Sequence, residues 1–306
     1  MKLTRSALLS LTGTSLLAGR HVAAQPSVQM NRRKIPSTGE QLPVVGVGTW
    51  RTFDVGSKPE DRAPVAEVLR VLFEANDPTG GSVIDTSPMY GAAEAVIGSL
   101  LAASGSRSKA FIATKVWTSG RDSGVAQMQA SMRLLRTDRV DLMQVHNLVD
   151  WRAHLPTLQA WKAEGRIRYL GITHYTQSAH DELERVMRAE KWDFVQLNYA
   201  LDDRAVEQRL LPLAAERGIA VIVNQPFGGG GLLRKLSARK LPDWAGEIGV
   251  TSWAQLLLKF VLANPAVTCV IPGTGKPEHM KDNLRAGFGN YPDSALLKRM
   301  AAEIAI

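Results

Sequence analysis

The sequence of 306 residues holds a single cysteine, Cys269. One thiol excludes an intrachain disulfide and a zinc site built from clustered thiolates. Cys269 lies in the apolar run 267–271, which predicts a small buried residue rather than a nucleophile. The six histidines are dispersed along the chain with no close pair. We therefore expect no metal site in this protein.

A basic run with interleaved aromatic residues is also missing, although the net charge is +8. Lys2, Arg5 and Arg20 lie in an N-terminal segment that carries no acid, and subtracting these three leaves +5. Scattered, solvated Lys and Arg explain this excess better than nucleic-acid binding does. A modest positive field would still favour anionic cofactors or substrates.

The N-terminal apolar stretch, residues 7–18, is too short for a helix that spans a membrane. It follows Lys2 and Arg5 and precedes small residues at 22–24. This layout predicts a secretory signal peptide over residues 1–24 and export to the periplasm. The alternative is that translation begins at Met30, which would leave the protein in the cytoplasm.

From residue 44 onward, short β-rich runs alternate with amphipathic stretches, which predicts α/β units with a parallel sheet. Eight such strands, and no Gly-x-Gly-x-x-Gly after the first, favour a (β/α)8 TIM barrel over an open doubly wound sheet. The predicted strands are 44–49, 82–86, 110–116, 140–145, 169–173, 194–197, 220–223 and 269–271.

Helical periodicity is clearest over residues 125–136 and 181–191. Gly165 and Gly218 follow two other helical runs and predict where those helices end. The longest stretch without a pattern, 228–249, is too short for a domain and is expected to be a loop over the barrel mouth. Residues 25–306 are therefore expected to form one domain.

Ionisable side chains stand at the ends of three successive predicted strands, where active sites of this barrel lie. Asp85, Lys115 and His146 occupy these ends, and Tyr90 follows Asp85. Taken singly, an Asp in a turn, a half-buried Tyr or a core His is an ordinary structural residue. Lys115 is less usual, because a buried ammonium is costly without a partner. The combination predicts an active site.

Residues 83–91, VIDTSPMYG, together with Thr114-Lys115 and His146, resemble the catalytic signatures of the aldo-keto reductase superfamily. The resemblance extends over residues 43–283. It implies a (β/α)8 barrel that reduces aldehydes or ketones with NADPH or NADH. The catalytic tetrad that it implies is Asp85, Tyr90, Lys115 and His146.

The implied chemistry suits these side chains. Hydride transfer to a carbonyl carbon leaves negative charge on the oxygen, and Tyr90 is the expected acid because a phenol can also act in reverse. A Lys115 ammonium would lower the pKa of Tyr90, and Asp85 would keep the lysine charged. His146 would donate a hydrogen bond to the carbonyl oxygen. The resemblance places Trp50, Trp117 and His146 around the substrate, although the tryptophans could equally be packing residues.

The cofactor side departs from the family's pattern. The usual Ser-Asn pair after strand five is Thr173-His174 here, whereas Gln196 matches. After strand seven, many family members have a tyrosine that stacks on the nicotinamide, and this chain has the segment 224–227, NQPF, there. The cofactor-binding residues that the resemblance implies are Thr49, Trp50, Asp85, Thr173, His174, Gln196, Asn224, Gln225, Pro226, Phe227, Gly228, Gly273, Thr274, Lys276, His279, Asp282 and Asn283.

The segment after strand eight resembles the part of the family that reads the adenosine 2′-phosphate. Gly273 and His279 stand where a lysine and an arginine are usual, so Lys276 and Lys281 are the remaining candidate cations. NADPH is therefore the favoured cofactor, and NADH stays open.

Two other functions stay open as well. His174 and Asn224 keep the alternative of a cofactor-binding regulatory protein with little turnover. A barrel aldolase with Lys115 as a Schiff base is disfavoured by the spacing of Asp85 and Tyr90. The expected partner is a small-molecule carbonyl substrate, and the sequence gives no oligomeric state. The short tail after Asn283 predicts an open site that accepts varied substrates.

Overall fold

A computed structural model describes residues 29–76 and 79–304 of the chain. The predicted signal peptide, residues 1–24, lies outside these residues, and so does the question of the start codon. Within the described ranges, no helix is both long and apolar enough to cross a bilayer.

The chain opens with a short antiparallel hairpin, β1 (Arg32–Lys34) and β2 (Gln41–Pro43), which sequence patterning did not predict. Ile35 and Leu42 are fully buried and pack into the apolar cluster inside the sheet that follows. The Thr38 hydroxyl also pairs with the Tyr169 hydroxyl at 2.8 Å. The hairpin therefore closes the end of the barrel at which the strands begin.

Eight parallel strands form one sheet in which each strand pairs with the next along the chain. The ring closes through bridges from Val45 to Val270 and from Gly48 to Gly273. This arrangement confirms the predicted (β/α)8 barrel. The strands are β3 (Val47–Gly48), β4 (Ser82–Asp85), β5 (Ala110–Val116), β6 (Val140–His146), β7 (Ile167–His174), β8 (Phe194–Asn198), β9 (Ala220–Asn224) and β10 (Val267–Val270).

Helices cover the outside of the sheet and bury their apolar faces against it. The predicted helical stretches 125–136 and 181–191 fall on α3 and α5, and Gly218 ends α6 with a left-handed φ of 64°. The helices are α1 (Pro59–Glu74), α2 (Ala93–Ser104), α3 (Arg121–Leu134), α4 (Trp151–Ala163), α5 (His180–Ala189), α6 (Leu210–Arg217), α7 (Gly231–Leu236), α8 (Trp253–Leu262), α9 (Pro277–Arg285) and α10 (Ser294–Glu303).

Two predicted segments differ from the structure. The first strand, expected over 44–49, is regular only over β3, because residues 44–46 bond to Val270 on one side. The segment 228–249, expected to be irregular, contains α7 and a 3-10 helix over Asp243–Ile248. Leu232 and Leu236 are buried one helical turn apart, and their burial stabilises the helix.

Side chains on each strand alternate between the barrel interior and the helix layer. Along β5, Phe111 and Ala113 join the interior apolar cluster, while Ile112 and Val116 pack under the helices. Cys269 is fully buried in the interior cluster, as expected. The same alternation points Lys115 inward, so the interior is apolar near the hairpin and polar where the strands end.

Close packing of α2 against the end of α3 gives a test of the fold. A Cβ on Gly98 would overlap the Leu134 carbonyl oxygen and lie 2.8 Å from the Leu135 Cα. We expect Gly98→Ala to destabilise the protein by about 1–3 kcal/mol through overpacking, even though alanine favours a helix. Urea unfolding measures this change.

Gly246→Ala is the matched control, because no heavy atom lies within 4 Å of the added Cβ and its φ is not left-handed. An unfolding free energy for Gly98→Ala equal to or above the parent's would show that this helix contact is not tight.

Candidate active site

The four residues predicted as a tetrad converge at the end of the barrel where the strands finish. Asp85 is the last residue of β4, Lys115 the penultimate residue of β5 and His146 the last of β6. Tyr90 stands in the loop between β4 and α2. The parallel register brings these neighbouring strand ends together.

Lys115 and Asp85 form a buried ion pair. The Lys115 Nζ lies 2.8 and 2.7 Å from the two carboxylate oxygens of Asp85 and also donates to the Thr86 carbonyl at 2.9 Å. Both side chains are almost fully buried. Burial lowers the pKa of Lys115, but the charges of Asp85 and Tyr90 outweigh it, so the pKa is raised. Lys115 therefore carries its charge inside the barrel.

The Asp85 carboxylate also collects two amide donors. Gln196 Nε2 on β8 donates to its Oδ1 at 2.7 Å, and Gln144 Nε2 on β6 does so at 3.3 Å. A carboxylate can accept several hydrogen bonds at once, so Asp85 holds both amides as well as the Lys115 ammonium. Asp85, on β4, thus joins side chains from β5, β6 and β8 at one point.

Tyr90 lies beside this ion pair, with the Lys115 Nζ 5.1 Å from the centre of its ring. Burial raises the pKa of Tyr90, and Lys115 acts in the opposite direction, as expected from the sequence. Burial wins, so the net pKa is raised rather than lowered. The phenol is accordingly protonated at neutral pH.

His146 stands edge-on to Tyr90, with the ring centres 6.1 Å apart. Burial lowers its pKa, Lys115 and His174 add to this effect, and the pKa falls to about 3. The imidazole is therefore neutral at physiological pH. Its Nδ1 lies 3.3 Å from the Ser87 hydroxyl oxygen.

A cavity of about 560 Å³ opens above these residues, and Asp85, Tyr90 and His146 reach its floor. Four large side chains stand exposed at its rim: Trp50, Met89, Trp117 and Tyr175. We call this set the aromatic rim, after its three aromatic members. Trp50 is 50% exposed and Trp117 is 38% exposed, so neither is a packing residue of the core.

Part of the predicted cofactor set lines the same cavity: Thr49, Trp50, Asp85, Thr173, Gln196, Asn224, Gln225, Pro226, Phe227 and Gly273. His174 turns aside, since its ring stacks on Tyr175 and its Nδ1 accepts from the Thr176 N–H. The others lie beyond the cavity wall: Gly228, Thr274, Lys276, His279, Asp282 and Asn283. Asp282 accepts hydrogen bonds from Ser252 and Gln255, both at 2.6 Å.

The residues present fit a nicotinamide and its phosphates. Gln196 Oε1 has only two long contacts, each 3.5 Å, to Thr173 and Asn224. The Asn224 Oδ1 is buried with no partner among the described residues. These groups leave hydrogen-bonding capacity for a carboxamide. Three consecutive glycines, Gly228–Gly230, have left-handed φ values and let a phosphate approach the backbone.

Sequence reasoning did not assign Gln144 or Ser87 to the site. The alternation of side chains along a strand could have predicted both, because residues two apart point to the same face. Gln144 precedes His146 by two residues, and Ser87 follows Asp85 by two. Met89, Arg51 and Tyr175 also line the cavity and were not predicted. They lie in loops, where no periodicity indicates which side chains face inward.

The family model described as the aldo/keto reductase family matches residues 44–297. Methylglyoxal reductase YeaE of Escherichia coli is 29% identical over 262 residues, which are 83% of this chain and 89% of that protein. Aldo-keto reductase YhdN of Bacillus subtilis is 26% identical over 229 residues, which are 70% of this chain and 66% of that protein.

Solved structures are similar over nearly the whole barrel. An aldo/keto reductase from Klebsiella pneumoniae in complex with NADP and acetate has a TM-score of 0.72 at 25% identity. The match covers 86% of this chain and 93% of that one. The holo form of AKR11C1 from Bacillus halodurans shares the fold with a TM-score of 0.72 at 23% identity, over 91% and 97% of the chains.

The buried ion pair predicts a large effect on stability. Asp85→Asn should lower the free energy of unfolding by about 3–5 kcal/mol, because it leaves the Lys115 ammonium buried without its counter-charge. Urea unfolding at neutral pH measures the loss. Asp243→Asn is the control, since Asp243 pairs with Lys240 at 2.9 Å on the surface. Equal losses in the two variants would contradict the special role of the buried pair.

Proposed function

Since the chain belongs to the aldo/keto reductase family, we propose that it reduces the carbonyl group of aldehydes or ketones to an alcohol with NADPH. One observation carries this proposal. A protonated Tyr90 stands beside the buried Lys115–Asp85 pair on the floor of an open cavity. This arrangement offers a proton donor inside the cavity, and it agrees with the function that the family implies.

The cofactor supplies the hydride to the carbonyl carbon when it is bound. Thr173, Gln196 and Asn224 would hold the carboxamide of its nicotinamide, and Gly228–Gly230 would lie along its phosphates. The Klebsiella pneumoniae relative was solved with NADP, which supports the phosphorylated form of the cofactor. Lys276 and Lys281 are exposed on the segment beyond β10 and would pair with the 2′-phosphate.

Tyr90 would donate its proton to the carbonyl oxygen as negative charge develops there. Lys115 stays charged because Asp85 pairs with it, and its field stabilises the phenolate that remains. His146 is neutral, so it can donate a hydrogen bond to the same oxygen without adding a charge. The raised pKa of Tyr90 keeps the acid form available at neutral pH.

The aromatic rim would select substrates by apolar contact. Trp50 and Trp117 are exposed where they line the cavity, and the Arg51 Cζ lies 4.2 Å from the centre of the Trp50 ring. The cavity is wide and open, so we expect carbonyl substrates of varied size. Methylglyoxal, named as the substrate of the Escherichia coli relative, is small enough to enter.

Removing one hydroxyl tests the acid. Tyr90→Phe should lower kcat about 10²–10⁴-fold and leave NADPH affinity nearly unchanged, because the phenol acts on the substrate oxygen. NADPH oxidation with a panel of aldehydes and ketones measures turnover, and fluorescence titration measures binding. Tyr175→Phe removes a hydroxyl at the rim of the same cavity and should keep its activity. More than about a tenth of the parental kcat in Tyr90→Phe would rule Tyr90 out as the acid.

The 2′-phosphate contacts give a separate test. Charge-assisted hydrogen bonds contribute about 1.5–3 kcal/mol each, so the double variant Lys276→Ala, Lys281→Ala should lose at least about tenfold in NADPH affinity. NADH affinity should be unaffected, and the parent's preference for NADPH should weaken as salt is added. Titration of both cofactors measures the ratio.

A second double variant, Lys191→Ala with Lys298→Ala, removes two exposed lysines elsewhere on the surface and controls for net charge. If the first double variant kept the parent's ratio of NADPH to NADH affinity, other residues would read the phosphate. Equal parental affinity for the two cofactors would reject NADPH as the preferred one.

A further inference from the structure

The hydroxyl of Ser87 stands directly behind His146, on the side away from the cavity. Ser87 is fully buried, and its Oγ lies 3.3 Å from the His146 Nδ1. The same oxygen accepts a hydrogen bond from the Met89 N–H at 3.3 Å. Ser87 itself is not among the residues that line the cavity, so it is not positioned as a substrate group.

Counting hydrogen bonds decides which atom donates. A serine hydroxyl has one proton and two lone pairs, and Met89 already occupies one lone pair. If the His146 Nδ1 donated to the other, the Ser87 proton would be buried with no acceptor among residues 29–76 and 79–304. A buried donor without a partner is costly. When the hydroxyl donates to Nδ1 instead, all three groups are satisfied.

Because the Ser87 hydroxyl donates to Nδ1, the position of the proton on the His146 ring is determined. A neutral imidazole carries one proton, so an Nδ1 that accepts a hydrogen bond leaves the proton on Nε2. In the part of the chain that the structure describes, Nε2 has no hydrogen-bond partner, while the His146 ring lines the cavity. The only ring proton therefore points to where a substrate oxygen would lie.

We propose that Ser87 is a positioning residue that holds neutral His146 as the Nε2–H tautomer, so that its ring donates a hydrogen bond into the cavity. This inference rests on the proposed function, in which His146 contacts the carbonyl oxygen. Without the hydroxyl, the ring proton exchanges between the two nitrogens and the ring loses its anchor. The fraction of molecules that can donate to the substrate then falls.

The first test is a direct view of the tautomer in the full-length chain. Nitrogen-15 NMR at neutral pH, with the His146 signals assigned from a His146→Asn variant, should show a protonated Nε2 and a hydrogen-bonded, unprotonated Nδ1. In Ser87→Ala, both ring nitrogens should shift toward values averaged over the two tautomers. A proton on Nδ1 in the parent, or unchanged ring signals in Ser87→Ala, would overturn the proposal.

The second test is kinetic. Ser87→Ala should lower kcat about tenfold, as expected for the loss of one buried hydrogen bond, and leave the affinity for NADPH unchanged. Ser82→Ala is the matched control, because Ser82 is a buried serine on β4 that accepts from the Asn76 amide at 3.1 Å and does not line the cavity. It should keep the parental kcat. A parental kcat in Ser87→Ala, or an equal fall in Ser82→Ala, would contradict the role of Ser87.

The two tests separate this inference from the proposed function. If the parent reduces no carbonyl compound but shows the Nε2–H tautomer that Ser87→Ala loses, the proposed function fails and the positioning role of Ser87 stands. If the parent is active but its Nδ1 carries the proton, the proposed function stands and the role of Ser87 is wrong.

Discussion

The ion pair between Lys115 and Asp85 is the constraint on which the rest of the site depends. Burying a charged ammonium is costly without a counter-charge close by, and Asp85 supplies one to Lys115 at 2.7 Å. The carboxylate in turn fixes the amides of Gln144 and Gln196. Lys115 then acts electrostatically on its neighbours, since it favours the phenolate of Tyr90 and disfavours a charged His146. One buried charge thus shifts the pKa of two groups that line the cavity, although burial is the larger influence on both.

The interior of the barrel is apolar at the hairpin end and polar at the end that holds the candidate active site. At the hairpin end, the rings of Phe111, Tyr169 and Phe194 pack against one another in the interior, with centres 5.4–5.9 Å apart. These aromatic side chains bury a large apolar area and hold the strands in register. Toward the other end, the inward positions become polar, and Lys115 occupies one on β5 and Gln144 one on β6. The apolar half provides the rigidity that the polar half requires to hold its hydrogen bonds.

Much of this organisation is readable from the sequence. The third predicted strand, 110–116, coincides with β5, because a short run of β-branched and aromatic residues strongly favours a buried strand. The tetrad was predictable because strand ends and motif spacing both point to it. Gln144 and Ser87 follow from the same alternation once the inward face of each strand is known.

Other features depend on contacts that no local pattern reveals. The barrel closes through bridges from Val45 to Val270 and from Gly48 to Gly273, residues far apart in the sequence, and α7 packs through the buried side chains of Leu232 and Leu236. The direction in which the pKa of Tyr90 shifts depends on how deeply its ring is buried. The sequence therefore predicts that Lys115 lowers this pKa, but it does not predict that burial raises it by more. Such balances are set by the three-dimensional surroundings.

The closed end of the barrel restricts how a molecule can enter and leave the cavity. Ile35 and Leu42 fill the interior at the hairpin, and Glu40 of the same hairpin accepts a hydrogen bond from the Tyr169 hydroxyl at 2.6 Å. A molecule that reaches the floor of the cavity must leave by the way it came, past Trp50 and Trp117. In the described part of the chain, the rim is therefore the route out of the cavity, and its residues are separate from the tetrad at the floor.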